Sequence, residues 1–322
     1  MPRVDSGAPV VSRQSPKSNG RVSASPGSVL SDAIEIGELQ DSWIKMLIYG
    51  QNGTGKTTLA CDFEKPLLLL SFEPNETGGA RSVRKVPGVT FLKLRPTRDK
   101  NGVVTERVTE KAYRLADELK VKNPFRTVVF DHVTAFQDVV LQEILNVENL
   151  PEQLNFGSIS SDDYRMRAER TKEGLRPWVD LPCHTVFIAK EKDHNPPKEE
   201  KINPRTGKVQ PDMKARFLRG LQMESFVTAD LGGGTAGWIM DACDYLCRLY
   251  FDREVVVKKN KVQGQEVVTT EETGRFVRAL RTTYHPNFAA RFRSDTPDNL
   301  PEAIADPTYA KILAAIEGRK VS

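Results

Sequence analysis

The stretch GQNGTGKT, from Gly50 to Thr57, constrains the fold of this chain more than any other. It fits the pattern G-x-x-x-x-G-K-[ST], which requires a buried strand before it and a helix after it. Both are legible: WIKMLIYG precedes the loop as an apolar strand, and TTLACDF continues as a helix. The residue types follow from phosphate chemistry. Gly50, Gly53 and Gly55 let the backbone bend around phosphate oxygens and present its N–H groups where side chains would intrude. Lys56 supplies a compact charge for the β- and γ-phosphates, and the Thr57 hydroxyl is a Mg²⁺ ligand. Gln51, Asn52, Thr54 and Thr58 complete the expected phosphate-binding set, with the two threonines as secondary contacts.

Beyond the loop, strands and helices alternate. Leu67–Phe72, Val89–Leu94, RTVVFD (ending at Asp131) and HTVFIAK (His184–Lys190) read as strands. Ala112, Leu115, Ala116 and Leu119 form one helical stripe. Phe136, Val140, Ile144 and Val147 form another, and Tyr164, Ala168, Thr171, Leu175 and Trp178 a third. Such alternation predicts an α/β fold with a mostly parallel sheet covered by helices on both faces. After Lys190 the pattern changes, and residues 195–240 are expected to form a mobile loop segment. DYLCRLYFDREVVVKK and EVVTTEETGRFVRALRT then read as a C-terminal β-hairpin around Gln263-Gly264, before a short terminal helix. Residues 1–32, rich in Ser, Pro and Gly without periodicity, are expected to be a disordered tail. AIEIGEL reads as a short edge strand, and residues 33–322 as a single domain.

Composition narrows the class. The chain has 322 residues, a net charge of +4 and a pI near 8.8, which permits an anionic partner without requiring one. No apolar run approaches the roughly 20 residues needed to span a bilayer, so a cytoplasmic protein without a membrane partner is expected. Cys61, Cys183, Cys243 and Cys247 form no CxxC pair and read as buried free thiols.

A nucleotide phosphate needs Mg²⁺, and Asp131 ends a buried strand at the sheet edge where ligands bind in open α/β sheets. Its bland reading is a cap on the following helix. Many P-loop ATPases carry their water-activating glutamate directly after this aspartate; here His132 stands there instead. Glu73, at the end of the strand after the P-loop helix, is then the candidate catalytic base beside Lys56, with Glu76 as a nearby competitor. His132 and His184 read as structural.

WIKMLIYGQNGTGKTTLA, KPLLLLSFEPNETGGARSV and ADLGGGTAGWIMDACDYLCRLYF together resemble the phage-encoded, RecA-like ATP-binding family associated with single-strand annealing and recombination. The resemblance spans about residues 43–293. It implies a RecA-like P-loop NTPase using ATP and Mg²⁺, with Lys56 and Thr57 on phosphate and metal, Asp131 as the metal-side acid and Glu73 as the base. It further implies a homo-oligomer working on single-stranded DNA, in a bacterial host cytoplasm if phage-encoded. Lys190 falls where such proteins place a polar γ-phosphate sensor, usually an amide. A solvated strand-end lysine is the competing reading.

Three Arg–Phe clusters invite contact with nucleic acid. RFLR, with Arg216, Phe217 and Arg219, lies where RecA-like proteins carry DNA-binding loops and is the leading candidate. RFVR (Arg275–Arg278) equally suits a strand with Phe276 buried. RFR (Arg291–Arg293) could reach a neighbouring subunit as an arginine finger. GGGTAG (Gly232–Gly237) is expected to be a flexible loop rather than a dinucleotide site. Two other function classes stay open: a P-loop kinase for a small acceptor, and a binding module that uses nucleotide without hydrolysing it.

Overall fold

A computed structural model describes residues 43–73, 78–147, 150, 159–194, 200–202, 209–211, 226–232, 234–262 and 265–321. The tail, AIEIGEL, Glu76, the RFLR cluster and the Gln263-Gly264 turn lie outside the described residues. The chain divides into two units, residues 1–42 and 43–322, and every described residue belongs to the second.

Strand β1 (Lys45–Gly50) feeds the P-loop, and helix α1 (Lys56–Ala60) leaves it. Then come β2 (Leu67–Ser71), a 3₁₀ turn (Gly78–Val83), β3 (Val89–Lys93), and the small ribbon β4 (Thr97–Arg98) with β5 (Val104–Glu106). Helix α2 (Val108–Val121), β6 (Thr127–Asp131), α3 (Val133–Leu145), α4 (Ser161–Val179) and β7 (His184–His194) complete the central units. The last part contains β8 (Glu200–Ile202), β9 (Val209–Pro211), β10 (Phe226–Ala229), α5 (Gly234–Ala242), β11 (Tyr245–Val262), β12 (Gln265–Arg281), β13 (Ala303–Ala305) and α6 (Tyr309–Ile316).

Among the described residues nine strands form one sheet in the order β13-β12-β11-β1-β7-β6-β2-β3, with β10 added to the outer half of β7. All pairings from β11 through β3 are parallel, while β12, β13 and β10 join antiparallel. This is the expected α/β architecture, with the hairpin β11–β12 continuing the sheet on one side. A parallel strand is buried on both faces, so its sequence is apolar without alternation. LLLLS of β2 and TVVFD of β6 are buried at every position for this reason.

The two faces carry separate cores. Leu47, Leu68, Leu70, Val128, Phe130 and Phe187 pack with α2 to α5 through Ala112, Phe136, Trp178 and Ile239. Met46, Ile48, Leu69, Val129 and Leu249 face the other way, against Leu59 and Ala60 of α1 and Ile312 of α6. The four cysteines are free and buried in these layers, as expected. Lys45 is an exception in the core. Its ammonium donates to the carbonyls of Leu181 and Cys183 and to the Thr185 hydroxyl, and burial lowers its pKa to about 8.

Several expectations are corrected. GGGTAG is not a flexible loop throughout: Gly234 opens α5, whose Thr235 and Ile239, four residues apart, are buried against the core. Packing overrides the weak helix propensity of glycine. β7 does not end at Lys190, because β10 gives residues Glu191–His194 a partner. The segment 195–240, expected to be a mobile loop, lies for the most part outside the described residues; those described include β8, β9, β10 and the greater part of α5. Val147 leaves the buried stripe, since Asn146 takes the left-handed conformation (φ 53°) and ends α3. Tyr164 is exposed under the Arg167 guanidinium rather than buried. Among the described residues, no helix is long and apolar enough to cross a membrane.

Candidate functional site

β1, β6 and the strand preceding Glu73 end at one edge of the sheet, level with Lys190 of β7, so the residues there meet in one cleft. Its volume is about 570 Å³, and Lys56, Thr57, Glu73, Asp131, His132 and Lys190 line it. Asn52, Gly53, Gly55 and Thr58 form the rest of the loop side. Gln51 is exposed, and Thr54 is buried with its hydroxyl donating to the Gln51 carbonyl at 2.9 Å.

The glycines are dictated by space. Gly53 and Gly55 have φ of 83° and 87°, which disfavour a side chain. A Cβ on Gly50 would come within 2.1 Å of the Leu249 carbonyl oxygen. Lys56 doubles back, its ammonium donating to the Gly50 and Gln51 carbonyls at 2.7 Å each, which tethers the side chain to its own loop. Burial lowers the Lys56 pKa, while Asp131 and Glu191 oppose that shift.

The Thr57 hydroxyl donates to Asp131 Oδ2 at 3.0 Å, joining the two expected metal ligands across the cleft. Gly79, in the 3₁₀ turn, covers this pair. A Cβ there would lie 2.6 Å from Thr57 Oγ1 and 2.7 Å from Asp131 Oδ2, so the turn must be glycine to leave the oxygens uncovered. Burial raises the Asp131 carboxyl from 3.8 to about 6, the Glu73 charge adding to the rise while Thr57 and Lys56 oppose it. A buried carboxylate and a hydroxyl side by side are hard oxygen donors, and a divalent cation would offset the cost of ionising the acid. The residues present therefore fit Mg²⁺. Among the described residues no cluster of three His, Cys, Asp or Glu side chains forms a protein cage, so phosphate and water would complete the coordination.

His132 joins the start of α3 to Glu73. Its Nδ1 accepts the Ala135 N–H at 2.9 Å and caps α3, the role considered for Asp131. That bond places the ring proton on Nε2, which faces Glu73 Oε1 at 3.1 Å and donates to it. Burial, reinforced by Lys190, lowers the His132 pKa to about 4, so the ring is neutral at pH 7. One Glu73 oxygen is thereby fixed. The signal in the sequence was the histidine standing where a glutamate is usual.

Lys190 lines the cleft at mid-strand instead of being a solvated strand end, and its backbone N–H donates to the Thr134 hydroxyl at 3.3 Å. The next residue, Glu191, forms a partly buried ion pair with Arg248 on β11, with Nε–Oε2 at 3.0 Å and Nη2–Oε1 at 3.4 Å. The Arg248 guanidinium also stacks 4.2 Å from the Phe288 ring centroid. This pair ties β7 to β11 across β1, where the P-loop begins. No sequence motif announced it. The arginines of RFR are committed internally: Arg291 donates to the Met240 and Cys243 carbonyls, and Arg293 pairs with Asp244 at 2.6 Å. Phe276 of RFVR is 66% exposed, contrary to its expected burial.

A parallel sheet with a glycine loop, a hydroxyl–carboxylate pair and a strand-end glutamate at one edge defines a P-loop nucleotide-binding ATPase fold. A family model described as an AAA domain matches residues 42–282, more than half of the chain. The chain belongs to that family. Among solved structures it is similar to a KaiC-like protein from the hyperthermophilic archaeon Pyrococcus horikoshii. The identity is 10%, over 75% of this chain and 86% of that one, with a TM-score of 0.30. No curated protein matches.

Proposed function

We propose that the chain is a Mg²⁺-dependent ATPase in which Glu73 activates the attacking water. The observation that carries this reading is the Glu73 carboxylate, lining the same cleft as Lys56, Thr57 and Asp131 and held by His132. Glu73 Oε2 takes the proton of a water directed at the γ-phosphate, while His132 holds Oε1. The P-loop amides and Lys56 bind the phosphates, and Lys190 offers a second positive charge on the wall of the cleft. Thr57 and Asp131 hold Mg²⁺, which when bound neutralises charge on the phosphate oxygens. Transfer to a small acceptor is less favoured, because a fixed strand-end carboxylate suits water.

We further propose that this activity serves a homo-oligomer acting on single-stranded DNA in phage or prophage recombination, inside the host cytoplasm. That part is supported by the sequence resemblance and by the RFLR cluster, which lies outside the described residues. Phosphate release measured with and without a single-stranded oligonucleotide tests it. Stimulation by the oligonucleotide is expected; release that ignores the oligonucleotide contradicts the DNA partner while leaving the ATPase standing.

A further inference from the structure

The hairpin β11–β12 leaves two large aromatic rings in water beside the P-loop: Phe276 is 66% and Phe251 51% exposed. Antiparallel partners share a face, and so do residues two apart on one strand. Phe251 pairs with Arg278 and Arg253 with Phe276, so these four side chains stand together on one face. Further in, that same face carries Leu249 and Leu280, buried against α1. The aromatic surface is thus continuous with the floor beneath the P-loop helix.

Arg278 makes the connection. A Cβ built on Gly55 would lie 3.2 Å from its Nη1 and 3.7 Å from its Cδ, so the guanidinium rests on the loop itself. The sheet order fixes which end of a bound triphosphate this is. β11 and β12 flank β1 on one side; β7, β6 and β2, with Asp131 and Glu73, flank it on the other. A triphosphate whose γ-phosphate points to Glu73 directs its α-phosphate and nucleoside toward the hairpin. Phe276 lies two residues beyond Arg278, roughly 7 Å along the strand, and Phe251 lies directly across from Arg278. The register shifts between Arg253 and Val255, and Gly274 has φ of 76°, so a bulge interrupts the ladder just past the platform before pairing resumes at Val255 and Glu272.

We propose that Phe251 and Phe276 form the stacking platform for the base of the bound nucleotide, and that Arg278 contacts its α-phosphate. The proposal rests on the reading of the cleft as a nucleoside triphosphate site. Stacking on an aromatic face binds any base through its π surface, and the arginine adds charge where phosphate meets nucleoside.

Calorimetric titration of Mg²⁺–ATP and of Mg²⁺–tripolyphosphate, which lacks a nucleoside, separates the parts. Phe276→Ala and Phe251→Ala are each expected to weaken ATP about tenfold and to leave tripolyphosphate within about twofold. Both positions are exposed, and an unchanged melting temperature will show that the variants fold. ATP affinity unchanged in both variants overturns the platform, as does an equal loss for tripolyphosphate. A loss of oligo(dT) binding in Phe276→Ala with ATP unaffected also overturns it and gives the surface to single-stranded nucleic acid. Wild-type protein that binds neither ATP nor tripolyphosphate removes the underlying nucleotide reading instead, a result distinct from the others.

Discussion

Asp131 and His132, adjacent in sequence, divide their work by direction: one faces the metal position and the other faces Glu73. The raised pKa of Asp131 has a definite consequence for the protein without Mg²⁺. An acid whose folded pKa of about 6 exceeds its unfolded value of 3.8 favours folding below the lower value and loses that contribution as pH rises through the upper one. Asp131→Asn is therefore expected to stabilise the metal-free protein at pH 7 to 8, by on the order of 1–3 kcal/mol, with the gain vanishing near pH 4. Urea denaturation across that range measures it. The same variant should lose Mg²⁺-dependent ATP binding. For His132, asparagine can still accept the Ala135 N–H but cannot reach Glu73. His132→Asn should lower kcat about ten- to a hundredfold with little change in KM. Combined with Glu73→Gln it should add almost nothing, because both changes act on one unit.

At the scale of elements, the 3₁₀ turn Gly78–Val83 acts as the roof of the metal position. Gly79→Ala must push the turn off Thr57 and Asp131, so Mg²⁺–ATP binding is expected to weaken more than tenfold while the far-ultraviolet spectrum stays unchanged; titration calorimetry reads the first. The parallel strands and the P-loop were legible because each is specified locally, by uninterrupted apolar runs and by a fixed glycine spacing. What escaped the sequence depends on partners distant in the chain. α5 was hidden by its glycines and forms because Thr235 and Ile239 meet the core. The outer half of β7 exists because β10 pairs with it, and Phe276 is exposed because the hairpin extends past the core that would have covered it. In the site, Lys56, Thr57, Asp131 and Glu73 could be picked out by type and position. The Glu191–Arg248 pair joins two strands flanking a third, which no local pattern encodes.

For the whole molecule, nucleotide binding should register as stability. A ligand that binds only the folded state at 100 times its Kd adds about 2.7 kcal/mol. Mg²⁺–ATP should raise the melting temperature of the wild-type protein, and Lys56→Ala should abolish the rise, as differential scanning calorimetry will show. Under the proposed function, Glu73 is the group that makes a nucleotide-binding cleft hydrolytic. Multiple-turnover phosphate release by Glu73→Gln, measured beside its affinity for Mg²⁺–ATP, tests this most directly. Retained affinity with turnover reduced a hundredfold or more is the predicted result; turnover at the wild-type rate would contradict it.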